Sequence, residues 1–86
     1  MPTIHLIGRP PFAGELQRFC DRSGWRLSSS ADFPQTAGLQ ADDRFILCSN
    51  SDTQALRQLE RLAAIAGTWN GEHGEEVKFH VQLVLQ

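Results

Sequence analysis

Residues 76–86 read EVKFHVQLVLQ, and their alternation decides which fold the sequence predicts. Val77, Phe79, Val81, Leu83 and Leu85 share one parity, while Lys78, His80 and Gln82 take the other. Period two with one polar side is the pattern of an antiparallel strand with one buried and one open face. Just upstream, TWNGEHGEE (68–76) contains Asn70-Gly71, a tight-turn signal that suits an antiparallel return.

Before that turn lies an amphipathic stripe of Ala55, Leu56, Leu59, Leu62, Ala63 and Ala66, which predicts a helix ended by Gly67. Ser51 to Gln54 has capping-box spacing at its start. RFILCS (44–49) is apolar and β-prone, a second central strand. ADFPQTAGLQADD (31–43) is rich in turn formers and marks a long connection. WRLSSS (25–30) alternates as a short strand. Phe12, Leu16, Phe19 and Cys20 make one helical face, introduced by Pro10-Pro11 and followed by Gly24. TIHLIG (3–8) is the first strand. The order is β-α-β-β-α-β in one domain, 1–86. With an antiparallel last strand, it predicts a ferredoxin-like α+β sandwich: one mainly antiparallel sheet, both helices on one face.

In that arrangement the first and last strands are neighbours and the second sheet face is open. Ile4, Leu6, Val77, Phe79 and Val81 would face the helices. His5, Ile7, Lys78, His80, Gln82 and Val84, with Ile46, would line the open face, and His5 and His80 would be cross-strand neighbours. Such a half-apolar face invites a second copy of the chain, so a homo-oligomer is expected, a dimer first. His5, Ile7, His80, Gln82 and Val84 are the expected interface. Trp69 and Glu72, in a loop with His73, Glu75 and Glu76, form a further recognition patch of aromatic anchor and acidic rim. Two imidazoles without a third ligand do not make a metal site. No metal or cofactor is expected.

The 86 residues carry eight Lys and Arg against ten Asp and Glu, a net charge of −2. The basic footprint of a nucleic-acid binder is missing. The aromatics of an RNA-recognition sheet are also missing, since there is no Tyr. No apolar run approaches the roughly 18 residues of a membrane span, and residues 1–20 do not read as a signal peptide. Cys20 and Cys48 fall on apolar faces and read as buried free thiols. A cytoplasmic protein without nucleic-acid or membrane partners is the expectation. No Ser/His/Asp set or metal motif is present. Gly8-Arg9-Pro10-Pro11 lacks the amides of a phosphate loop, although Arg9 has the chemistry to meet a carboxylate.

Two resemblances accompany these readings. Arg9-Pro10 ahead of Gly14-Glu15-Leu16, Gly24-Trp25-Arg26-Leu27, and RFILCSNSDTQALRQLERLAAI (44–65) together resemble the ACT domain. That resemblance implies a non-catalytic regulatory module of ferredoxin-like fold, with a small ligand near Arg9 and Gly14. The opening MPTIHLIGR resembles the tautomerase superfamily. It implies an alternative: removal of Met1 exposes Pro2 as a general base, with Arg9 holding a substrate carboxylate. The leading expectation is a small binding or regulatory module, acting through oligomerisation, a small ligand or a protein partner.

Overall fold

The computed structural model describes residues 3–35, 38–77 and 79–85. Its elements follow the expected order: β1 (Thr3–Ile7), α1 (Ala13–Ser23), β2 (Arg26–Ser30), β3 (Arg44–Ser49), α2 (Asp52–His73) and β4 (His80–Leu85). The sheet is not the expected one. All four strands are parallel, in the order β2-β1-β3-β4. The antiparallel ferredoxin-like sandwich is therefore corrected to an α/β fold with a parallel sheet.

The length of α2 produces the difference. Gly67 does not stop it and Asn70-Gly71 does not turn a hairpin. The helix runs for 22 residues, about 33 Å at 1.5 Å per residue. It carries the chain from the C-terminal edge of the sheet back beyond the N-terminal edge, so β4 starts beside the start of β3 and runs with it. Trp69 is the reason the helix continues. It is buried, its indole N–H donates to the Leu39 carbonyl at 3.0 Å, and its ring stacks on His73. Burying an indole outweighs the roughly 1 kcal/mol that each interior glycine costs a helix. The stop is Gly74, left-handed at φ 68°, whose N–H donates to Asn70 O. The Asn70 side chain accepts from Val77 N at 2.7 Å and so steers the chain toward β4.

A Cβ added at Gly71 would meet nothing within 4 Å. Gly71→Ala is therefore expected to raise stability by about 0.5–1 kcal/mol in urea unfolding. In an Asn-Gly hairpin, where the glycine needs positive φ, the same change would lower it.

Right-handed crossovers then place the layers. The step from β1 to β2 goes one way across the sheet and puts α1 on one face. The steps from β2 to β3 and from β3 to β4 go the other way and put their connections on the opposite face. Accordingly, Ile7, Phe45 and Leu47 pack with Leu62 and Trp69 of α2, and with Leu39 of the 31–43 connection. On the other face α1 buries Cys20 at 0% exposure and lies alongside β2. β1 is central and buried on both sides, so the expected division into a helix side and an open side does not apply to it. His5 and Ile7 are core residues, 6% and 2% exposed.

Gly8 lets the end of β1 press against β3. It sits at φ 111°, and a Cβ there would lie 2.9 Å from the Cys48 Cβ. Its N–H donates to Ser30 O at 2.9 Å. Only glycine combines that conformation with that approach.

Candidate functional site

Open parallel sheets usually bind ligands outside the carboxyl ends of their strands, where the strand order reverses. Here that point lies between β1 and β3, at Gly8-Arg9 and Ser49-Asn50-Ser51. Several of its donors are already engaged. Asn50 N donates to Gln54 Oε1 at 2.7 Å and Gln54 N to Ser51 Oγ at 3.2 Å, the expected capping box displaced by one residue at its return bond. The Ser49 hydroxyl donates to Gln58, and Gly8 N is held by Ser30. Pro10 and Pro11 carry no N–H. Arg9 is exposed there and Gly14 is exposed in the first turn of α1, but no amide cradle joins them.

His5 and His80 do not meet, because β3 lies between their strands. The His5 Nε2–H donates to Asp43 Oδ2 at 2.9 Å, and the imidazole stacks on Phe45 with ring centroids 4.9 Å apart. Asp43 also accepts from Thr3 N and Gln40 N, each at 3.2 Å. The pair is a buried strap that ties the end of the 31–43 connection to β1. His5 Nδ1 faces no hydrogen-bond partner. With both side chains sealed from solvent, the dyad has no access to a substrate. Asp32 and Arg61 pair at 2.6 Å on the surface of the same connection. The Phe33 amide first, then Arg61, holds the Asp32 carboxyl below its usual range.

Both cysteines are free and buried. Burial pushes their thiols up, with the charge of Asp21 adding to the effect at Cys20. A raised thiol pKa disfavours the thiolate, the reactive form. Among the described residues no group of three or more His, Cys, Asp or Glu could hold a metal, and no helix is long and apolar enough to cross a membrane.

The remaining predicted residues separate by depth. Trp69 is core, not a loop anchor, and Glu72 is exposed on the last turn of α2. His80 and Gln82 are exposed on β4, and Val84 is half-buried beside them. Pro2 and Lys78 lie outside the described residues.

Two features stand out at β4. The first is its free edge. Val81, Leu83 and Leu85 are 39%, 41% and 60% exposed, and Leu56 at the start of α2 is 60% exposed. The opposite edge, β2, reads Arg26-Leu27-Ser28-Ser29-Ser30 and is polar.

The second is a groove of about 470 Å³ between α1 and the strands that α1 does not cover. Crossover handedness creates it, because α1 is alone on its face and lies alongside β2. Ile4 and Ile46 line it from the sheet, and Leu16 and Phe19 from α1. Trp25 and Arg44 meet within it, the guanidinium carbon 4.7 Å from the indole centroid. His80 and Gln82 border it from β4, paired in register with Arg44 and Ile46. Of this set, only His80, Gln82 and Ile46 were legible as surface candidates. Arg44 carried a faint signal as the one charged residue of RFILCS. Scans against protein-family models, curated proteins and solved structures return no match for the chain.

Proposed function

We propose that this chain is a non-catalytic binding module that associates with a second copy of itself through β4. The contrast between the two sheet edges carries the reading. β2 is blunted by Arg26 and serines, as edges that stay unpaired usually are. β4 offers six residues, HVQLVL, without Asp, Glu, Lys, Arg or proline, and three large apolar side chains stand exposed on one face.

A second copy fits this edge better than an unrelated strand does. Antiparallel pairing across a two-fold axis sets the residue at the axis against its own counterpart and the others against residues placed symmetrically about it, so a charge near the axis would oppose a like charge. Residues 79–85 contain no Asp, Glu, Lys or Arg. The paired strands would continue the sheet, and the Val81, Leu83 and Leu85 set of one copy would cover that of the other across the axis, with Leu56 flanking. The expected interface thus moves from the sheet face to the sheet edge; Gln82 and Val84 contribute backbone, while His5 and Ile7 take no part. The surface is modest, so micromolar association is expected. Both thiols being free supports the reducing, cytoplasmic setting.

Light scattering across a concentration series tests the pairing. The native chain should pass from monomer to dimer, and Leu83→Lys should remain monomeric with its fold unchanged by circular dichroism. Lysine on an edge strand blocks pairing by desolvation and by repulsion across the axis. A native chain that stays monomeric at high micromolar concentration, or a Leu83→Lys variant that still dimerises, would overturn the proposal. Capture of another protein's strand in place of the second copy would overturn it too.

A further inference from the structure

We infer that the groove between α1 and β3–β4 is a binding site for a small amphipathic carboxylate, an apolar body carrying a single negative charge. The inference rests on the groove alone, not on the pairing of β4.

The sheet and helix supply the apolar part. Ile4 and Ile46 form a flat aliphatic floor beside Leu16 and Phe19, and Phe19 is 50% exposed although it is a large aromatic side chain. A volume of about 470 Å³ lies within the range of roughly 300–1,000 Å³ usual for small-molecule pockets.

Arg44 supplies the charge. Its guanidinium lies over the Trp25 ring, which restrains the plane of the group. The indole contact uses none of the guanidinium N–H donors as a hydrogen bond to an oxygen, so they remain able to meet a carboxylate as a fork. Among the described residues, no carboxylate lies within ion-pair distance of Arg44. The neighbouring Asp43 is turned to the other sheet face, against His5. An oriented cation at the end of an apolar trough, without an internal counter-ion, is complementary to an anion with an apolar tail. Arg44 is the only permanent cation among the described residues that line the groove. A monoanion therefore fits better than a phosphate dianion, which would need further donors. His80 and Gln82 border the groove from β4, in register with Arg44 and Ile46, and add side-chain hydrogen-bonding groups there.

The test is an amide NMR titration with 3-phenylpropionate and with octanoate, which distinguish an aromatic from an aliphatic body. The neutral 3-phenylpropionamide is the control. Saturable shifts should centre on Ile4, Leu16, Phe19, Ile46 and the Trp25 indole for at least one acid. The amide should bind at least about tenfold more weakly, as loss of a charge-assisted fork implies. Arg44→Gln should lose a similar factor, while Arg44→Lys, a cation without the fork, should lose less. If Arg44→Gln does not fold, the acid and amide compared on the native chain decide the matter. Equal binding of acid and amide, an unaffected Arg44→Gln, shifts centred elsewhere, or no saturable shifts with either acid would overturn the inference. Repeating the titration on monomeric Leu83→Lys separates it from the dimer: binding should persist there, and loss of binding would show that the groove is not a site in its own right.

Discussion

Replacing Trp69 with alanine will lower the unfolding free energy by about 4 kcal/mol, the usual cost of deleting a fully buried indole. Trp69 is 2% exposed and holds three parts of the molecule together. Its ring packs edge-on to Phe79 ahead of β4, stacks on His73 at 3.9 Å, and donates to Leu39 in the 31–43 connection. The variant loses the apolar contacts and also leaves the Leu39 carbonyl without its donor. Small domains have only about 5–15 kcal/mol in total, so Trp69→Ala should unfold at far lower urea, followed by circular dichroism. Trp69→Phe keeps most of the apolar area and should lose roughly 1–2 kcal/mol through the missing N–H. A loss under about 1 kcal/mol for the alanine variant would show that the last turns of α2 do not hold the core, which would remove the physical reason for a parallel β4.

Asp43→Ala should cost about 3 kcal/mol, because one carboxylate satisfies three donors inside the protein. Asp43 is 1% exposed and accepts from His5, Thr3 N and Gln40 N. Without it, two amides and an imidazole lose their acceptor under the returning chain. His5→Phe should cost less, since phenylalanine keeps the stack on Phe45 and removes only one of the donors. The double variant should cost clearly less than the two single losses added together, because the interaction they share can be lost only once. Strict additivity in urea unfolding would show that the strap does not join the connection to β1.

Most of the elements were legible, because local chemistry writes them. Gly24 closes α1 in a left-handed conformation at φ 75°, as the position of a glycine after an apolar stripe implies. β3 occupies the expected 44–49. Ser51 caps α2 through the expected hydroxyl. The errors gather between 67 and 76, where a glycine stop and an Asn-Gly turn were outweighed by one indole. Local propensities there amount to about 1 kcal/mol each, and tertiary burial of Trp69 is several times larger. The strand direction error follows from that one. Alternation in β4 predicts one-sided burial of Val81, Leu83 and Leu85, yet all three are exposed at the free edge and Val84, of the other parity, is half-buried. An edge strand of a parallel sheet can alternate as an antiparallel one does, so the pattern does not encode direction either.

The candidate site was less legible than the fold. Arg44 and Trp25 are 19 residues apart by number and meet only because β3 lies beside β1 while β2 flanks it on the other side. His5 and His80, which the expected topology joined, are separated by the same strand order. The sequence by itself determined the order of helices and strands, where most of them begin, and the absence of a large charge imbalance. These depend on neighbours a few residues apart. Strand order, strand direction and the groove were decided only in the tertiary structure. They depend on how far α2 reaches before Trp69 is buried, and on the handedness of each crossover, which leaves β3 and β4 uncovered beside α1.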